Sequence, residues 1–243
     1  MATLELERLL PAEADYPRET FHPDLPPEMR VGCAAAYFKT NPVARRLFHK
    51  RVKIVFDLIP PRQYKRALDA GTGAGFLLPP LASMAREVDG VDLSPVLNFT
   101  RTMLKWRDID NVTLQEADLM QLPFEDGAFD LAVCMSVMEH IPEPADAFRE
   151  VGRVLEPGSV FIVGYPLEHP VFRSMEWLLR KELRLRGFLS GRPAPKGKAF
   201  HPHVTHYADI ERAAEEVFHA DARRDIRLMG IPVYRILRLV KAE

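Results

Sequence analysis

Residues 68–75 read Leu-Asp-Ala-Gly-Thr-Gly-Ala-Gly, an apolar strand end running into glycines at alternate positions, Gly71, Gly73 and Gly75. Glycine adopts positive φ freely and has no Cβ, so this turn lets a ligand lie on the backbone while a strand bends into a helix. A nucleoside-bearing ligand suits it. Downstream, Glu87-Val-Asp-Gly-Val-Asp92 reads as a second strand ending in an acid, and a carboxylate there can accept both hydroxyls of a ribose. The glycines also admit the dinucleotide fingerprint G-x-G-x-x-G/A, whose last small residue lets helix and strand pack closely. Counted from Gly71 that position is Phe76, which is bulky and disfavours a nicotinamide or flavin oxidoreductase. Asn111-Val-Thr-Leu-Gln-Glu-Ala-Asp118 is a third strand-like run ending in an acid, and Ser136-Val-Met-Glu-His140 follows a fourth. His201, His203 and His206 stand close together, but no nearby cysteine or second ligand pair accompanies them, so no metal is expected.

These residues need a scaffold that brings strand ends together. Apolar runs predict strands over 66–70, 87–92, 111–116, 129–135 and 159–165, with a final hairpin of 222–228 and 233–240. Asn41-Pro42 opens a helix whose apolar positions, Ala44, Leu47, Phe48, Val52, Val55, Leu58 and Ile59, keep helical spacing until Pro60-Pro61. Its basic residues, Arg45, Arg46, Lys50, Arg51 and Lys53, read as a solvated outer face. Ser94-Pro95 and Pro144 open two further helices, and Tyr207–Phe218 forms another. The Pro79-Pro80 pair falls where a helix interior would reject it, so the regular helix is expected to begin near Leu78 or Pro79. Alternating strands and helices imply a doubly wound, mostly parallel sheet whose ligands sit at the carboxyl ends of its strands. Gly71–Gly75, Asp92, Asp118 and Ser136 all fall at such ends.

Length and charge narrow the class. The chain has 243 residues, a formal charge of −1 and two cysteines, Cys33 and Cys134, far apart. It can bury a substantial core in one α/β unit, and its charge argues against a protein devoted to nucleic acid. Without a disulfide framework, signal-peptide pattern or transmembrane run, a cytoplasmic protein is the expectation. Residues 1–60 read as a proline- and acid-rich arm followed by a cap helix, and 61–243 as the core.

Five segments together resemble the class I S-adenosylmethionine-dependent methyltransferases, in particular the group that includes quinone-biosynthesis and other small-molecule enzymes. They are the D-x-G-x-G-x-G loop at Asp69, Gly71, Gly73 and Gly75, Asp92 after strand two, and the Ala117-Asp118 pair after strand three. Leu122-Pro-Phe-Glu-Asp-Gly-Ala-Phe-Asp130 and the Glu156-Pro157-Gly158 turn complete the set. The resemblance covers roughly residues 35–165. It implies a Rossmann-like seven-stranded sheet with an antiparallel last strand, an N-terminal helical arm, and a helical lid inserted after strand five at about 166–206. It also implies S-adenosylmethionine as cofactor. Asp69 would orient the methionine amine, Asp92 the ribose and Asp118 the adenine amino group, with Leu93 and Leu119 on the ring faces. Met135 and Ser136 would meet the methionine end, and Thr72 and Tyr37 would complete the contacts. The acceptor would be a small organic molecule. Between Arg173 and Lys198 stand eight basic and two acidic residues, which leaves an anionic or lipid-like acceptor open. His140, at the mouth of the expected site, is the candidate general base, against a packed histidine as the alternative. A binding or scaffold protein of the same fold without turnover stays open as a second reading.

Overall fold

A computed structural model describes residues 3–21, 37–38, 42–93, 97–167 and 203–242. The Ser94-Pro95 helix start, His201 and almost all of the expected lid lie outside the described residues. In chain order the elements are α1 (Thr3–Leu9), α2 (Pro42–Leu58), β1 (Tyr64–Ala70), α3 (Leu78–Met84), β2 (Ala85–Asp92), α4 (Leu97–Trp106) and β3 (Val112–Glu116). They continue with β4 (Phe129–Met135), α5 (Pro144–Val154), β5 (Leu155–Pro166), α6 (Tyr207–Glu215), β6 (Phe218–Leu228) and β7 (Ile231–Lys241).

The seven strands form one sheet in the order β3-β2-β1-β4-β5-β7-β6. Strands β1 to β5 are mutually parallel where they pair, and β7 runs antiparallel to both β5 and β6. The expected mostly parallel sheet with an antiparallel last strand is therefore present. Chain direction across the sheet reverses between β1 and β4, and a crevice at the carboxyl ends of those two strands is where such sheets take ligands.

Alternation along the central strands supplies two cores. Tyr64, Ala67, Leu131, Val133, Val160 and Ile162 face one side with α2 and α3. Leu68, Ala70, Ala132, Cys134, Phe161 and Val163 face the other with α5 and α6. A strand buried on both faces reads as a continuous apolar run, which is why β4 is so plain in the sequence. The edge strand β6 is largely exposed and carries Arg223, Arg224, Asp225 and Arg227, charges that discourage pairing with another sheet.

Several boundaries differ from those expected. Strands β1 and β2 begin two residues earlier than the apolar runs, because parallel pairing from Tyr64↔Ala85 extends through charged positions at the strand starts. Strand β5 begins at Leu155, not after the Glu-Pro-Gly turn. The turn sits inside it as an irregularity between the pairs Phe129↔Leu155 and Leu131↔Val160, with Gly158 at φ +73°. Helix α6 stops at Glu215 because the chain from Phe218 is already paired with β7. The diproline stands in the first turn of α3, where the backbone N–H groups it lacks have no intrahelical partner to lose. The arm is packed down: Leu6 and Tyr16 are buried in the same core as α2 and α3.

Candidate functional site

The loop between β1 and α3 holds its shape through bonds to three separate segments. Gly71, Gly73 and Gly75 have φ of +81°, +51° and +72°. Gly71 and Thr72 donate their N–H groups to the Val91 carbonyl at 2.8 and 2.9 Å, which ties the loop to the end of β2. Gly73 donates to Asp92 Oδ2 at 2.8 Å. Its carbonyl accepts from Thr100 Oγ1 of α4 at 2.9 Å, and the next carbonyl, Ala74, accepts from the Tyr16 hydroxyl at 2.9 Å. Two of the glycines also answer a packing demand. A Cβ on Gly71 would stand 2.2 Å from Val137 Cγ2, and one on Gly75 2.4 Å from Thr100 Cγ2.

Acids stand at or just past the ends of three adjacent strands, and two of them, Asp69 and Asp92, bond this loop. Asp69, the penultimate residue of β1, is 2% exposed and accepts from Thr72 Oγ1 at 2.6 Å. Burial lifts its carboxyl from 3.8 to about 7; the Thr72 hydroxyl opposes that shift and the Asp92 charge adds to it. Asp92 ends β2. Asp118 follows β3, and its Oδ1 accepts the Met120 N–H at 2.9 Å, so it also braces a turn. Because the sheet order is β3-β2-β1, the three acids belong to neighbouring strands at the same end of the sheet.

The expected apolar contacts divide. Leu93 is 64% exposed beside Asp92, whereas Leu119 is buried in the second core. Tyr37 stacks on Phe76, with ring centroids 3.6 Å apart and planes 11° from parallel, so it packs directly behind the glycine loop.

On the other side of the crevice, Ser136 follows β4 in a left-handed conformation, φ +60°, and donates its N–H to the Gly164 carbonyl at 2.7 Å. Its Oγ takes the Arg51 Nη1 donor at 3.1 Å and lies 2.8 Å from the Tyr234 hydroxyl. The Arg51 guanidinium rests between two rings, 4.0 Å from the Phe48 centroid and 4.6 Å from that of Tyr234. Met135 reaches over Gly164, where an added Cβ would meet its Cε at 2.5 Å. Burial drives the Tyr234 hydroxyl pKa upward, with Arg51 opposing and Glu139 reinforcing. That phenol stays protonated and acts as a hydrogen-bonding group.

His140 is half-buried in a short 3-10 turn, Met138–His140, which follows Ser136 and Val137. Its ring centroid is 5.1 Å from that of His203. His206 instead caps α6, accepting the Ala208 N–H at 3.3 Å. The histidine cluster of the sequence is thus split between two tasks.

Arg51 corrects the reading of α2 as a helix with a uniformly solvated basic face. Arg45, Arg46 and Lys50 are exposed, but Arg51 turns inward to Ser136 and Tyr234. The signal was its place three residues after Phe48 and beside Val52, at the border of the apolar stripe. Tyr16, Glu139 and Tyr234 also escaped sequence reasoning, since nothing local to them predicts contacts made across the fold.

Residues 68–163 match the family model described as "Methyltransferase domain". The ubiquinone biosynthesis O-methyltransferase of Acinetobacter baylyi is 30% identical over 97 residues, 39% of this chain and 41% of that protein. The chain spans less than half the length of the curated relatives it matches. Among solved structures, the [4+2]-cyclase SpnF aligns with a TM-score of 0.63 at 17% identity, over 82% of each chain. Geranyl diphosphate C-methyltransferase from Streptomyces coelicolor A3(2), solved with Mg2+, geranyl diphosphate and S-adenosyl-L-homocysteine, aligns with a TM-score of 0.63 at 16% identity, over 82% of this chain and 81% of that one. At these identities the solved structures speak for the fold. Among the described residues no helix is long and apolar enough to cross a membrane.

Proposed function

We propose that this chain is a class I S-adenosylmethionine-dependent methyltransferase that transfers a methyl group from that donor to a small organic acceptor, a reading supported by the family-model match over residues 68–163 and by the ubiquinone-biosynthesis relatives. The observation that carries the reading is the placement of Asp69, Asp92 and Asp118 on neighbouring strands at the same end of the sheet, beside a loop held at positive φ. Three acids so placed suit a ligand with an amine at one end, a diol in the middle and an amino-heterocycle at the other. Bound there, S-adenosylmethionine supplies a sulfonium-activated methyl group, so the electrophile comes with the donor.

The chain's own residues have the tasks of holding, orienting and excluding water. In this reading Asp69 takes the methionine amine and Asp92 the ribose hydroxyls, while Asp118 takes the adenine amino group. Gly71, Thr72, Gly73 and Gly75 give the ligand a backbone surface, Leu93 and Leu119 flank the base, and Tyr37 backs the loop through Phe76. Met135 and Ser136 border the methyl-bearing end, and Ser136 hands the crevice on to Arg51 and Tyr234. Holding a nucleophile on the methyl axis in such a site can supply about 7–11 kcal/mol through proximity alone. Residues 166–206, basic between Arg173 and Lys198, are proposed as the cover over the acceptor, which fits an anionic or lipid-like molecule; the two separated cysteines fit a cytoplasmic setting.

Incubating the protein with S-adenosylmethionine and a metabolite extract should produce a species heavier by one methyl group together with S-adenosylhomocysteine. The fold also serves a protein named as a cyclase, so binding without transfer is the reading to separate. Tight binding of S-adenosylhomocysteine with no methylated product from any extract would favour it, and binding of nicotinamide dinucleotides instead would remove both.

A further inference from the structure

We propose that Glu139, His140 and His203 form a binding site for a divalent transition-metal ion at the acceptor side of the crevice. Their ligand atoms, one from each side chain, all lie within 4.8 Å of one another. The three residues come from two segments far apart in the chain, Glu139 and His140 from one and His203 from the other, brought together by backbone docking. Val204 and Thr205 donate their N–H groups to the Glu139 carbonyl at 2.9 and 3.3 Å, and the Thr205 hydroxyl donates to the Ile141 carbonyl. These bonds clamp the segment that carries His203 onto the 3-10 turn that carries Glu139 and His140. The cluster therefore follows from the fold and does not depend on the free swing of surface side chains.

The donor set selects the ion. Two imidazoles and one carboxylate match the three-ligand sets that hold zinc with a position left open, and the imidazole-rich sites of iron, cobalt and nickel. Magnesium and calcium prefer all-oxygen cages. Burial is graded as a coordination site requires: Glu139 is 3% exposed, His140 half-buried and His203 exposed, so an ion has a dry anchor and an entry side.

Position gives the site a use, one that rests on the methyl-transfer reading. Glu139 stands in the turn that begins two residues after Ser136, whose hydroxyl lies 2.8 Å from that of Tyr234, so the cluster follows directly on the end of the crevice assigned to the methyl group. A metal there lowers the pKa of an acceptor hydroxyl that takes its open position. The hydroxyl proton passes to solvent, the oxygen lone pair forms the new bond to carbon, and the sulfur–methyl electron pair returns to sulfur. This reassigns His140, since a ring nitrogen bound to metal has no lone pair left to remove a proton.

The test uses the full chain, stripped with chelator and titrated with Co2+ and Zn2+, with S-adenosylhomocysteine calorimetry run in parallel. One equivalent of Co2+ should bind and show the visible d–d absorption of a nitrogen- and oxygen-ligated ion. His140→Ala and His203→Ala should each weaken it at least about tenfold, while S-adenosylhomocysteine affinity stays at the wild-type value. His203 is exposed, so its variant reads the site without a folding penalty. Failure of wild type to bind either ion, or equal Co2+ affinity in wild type and both variants, would overturn the proposal. Wild type that binds Co2+ through these histidines but not S-adenosylhomocysteine would uphold the metal site and bring down the proposed function.

Discussion

Asp92 does two things at once in this fold: it accepts the Gly73 N–H and it presents a carboxylate at the end of β2. Replacing it by alanine should weaken S-adenosylhomocysteine binding by about 1.5–3 kcal/mol, the range for charge-assisted bonds. Unchanged affinity by calorimetry would take Asp92 out of the donor site. Asp69 makes a prediction in pH. Its carboxyl is raised from 3.8 to about 7, so its contribution to stability is complete below about pH 4 and declines as pH rises towards 7. A cationic amine beside it favours the ionised form, so binding S-adenosylhomocysteine at about pH 6 should expel a proton and affinity should rise up to about pH 8. Calorimetry in buffers of different ionisation enthalpy reads that proton, and Asp69→Asn should abolish the release. The acids were legible because each sits in a motif frame beside the glycines. Arg51 and Tyr234 were not, because their roles arise where α2 and β7 meet Ser136, and no local pattern encodes that meeting.

At the scale of elements, the last hairpin depends on a charged group that the core has closed over. Arg235 of β7 is buried and donates to Asp225 of β6 at 2.8 and 3.2 Å; it also pairs with Glu211 of α6, which accepts from the Tyr165 hydroxyl at 2.9 Å. Removing one member of a buried pair leaves the others uncompensated. Arg235→Ala should cost about 3–5 kcal/mol in urea unfolding, and a loss under about 1 kcal/mol would show that water already screens the network. Strands β4 and β5 could be read in the sequence from apolar residues on both faces. The starts of β1 and β2 could not, since Lys65 and Arg86 look like loop residues until the parallel pairing that begins at Tyr64↔Ala85 places them in the sheet. The diproline was placed correctly from the same physics that makes it tolerable, the orphan N–H groups of a first helical turn.

At the scale of the molecule, one sheet with a core on each face carries everything described, and the N-terminal arm belongs to one of those cores. Composition marks the arm as rich in proline and acid, which leaves open whether it wraps or frays. Its fastening is tertiary: Arg107, in the turn after α4, pairs with Asp15 and donates to the Leu9 carbonyl at 3.0 Å, while Tyr16 reaches Ala74. Tyr16→Phe should lower stability by about 0.5–1.5 kcal/mol, read as a shifted urea midpoint; no shift would mean the hydroxyl contributes nothing to that fastening. The Tyr16 bond has a kinetic side as well. It holds the Ala74 carbonyl from behind the very turn on which the donor is expected to lie, so the arm is one of the three attachments that set the shape of that turn. Residence time of S-adenosylhomocysteine then becomes a property of the first twenty or so residues, and stopped-flow release should be faster from Tyr16→Phe than from wild type even where the equilibrium fold is intact. Equal release rates would uncouple the arm from the clock.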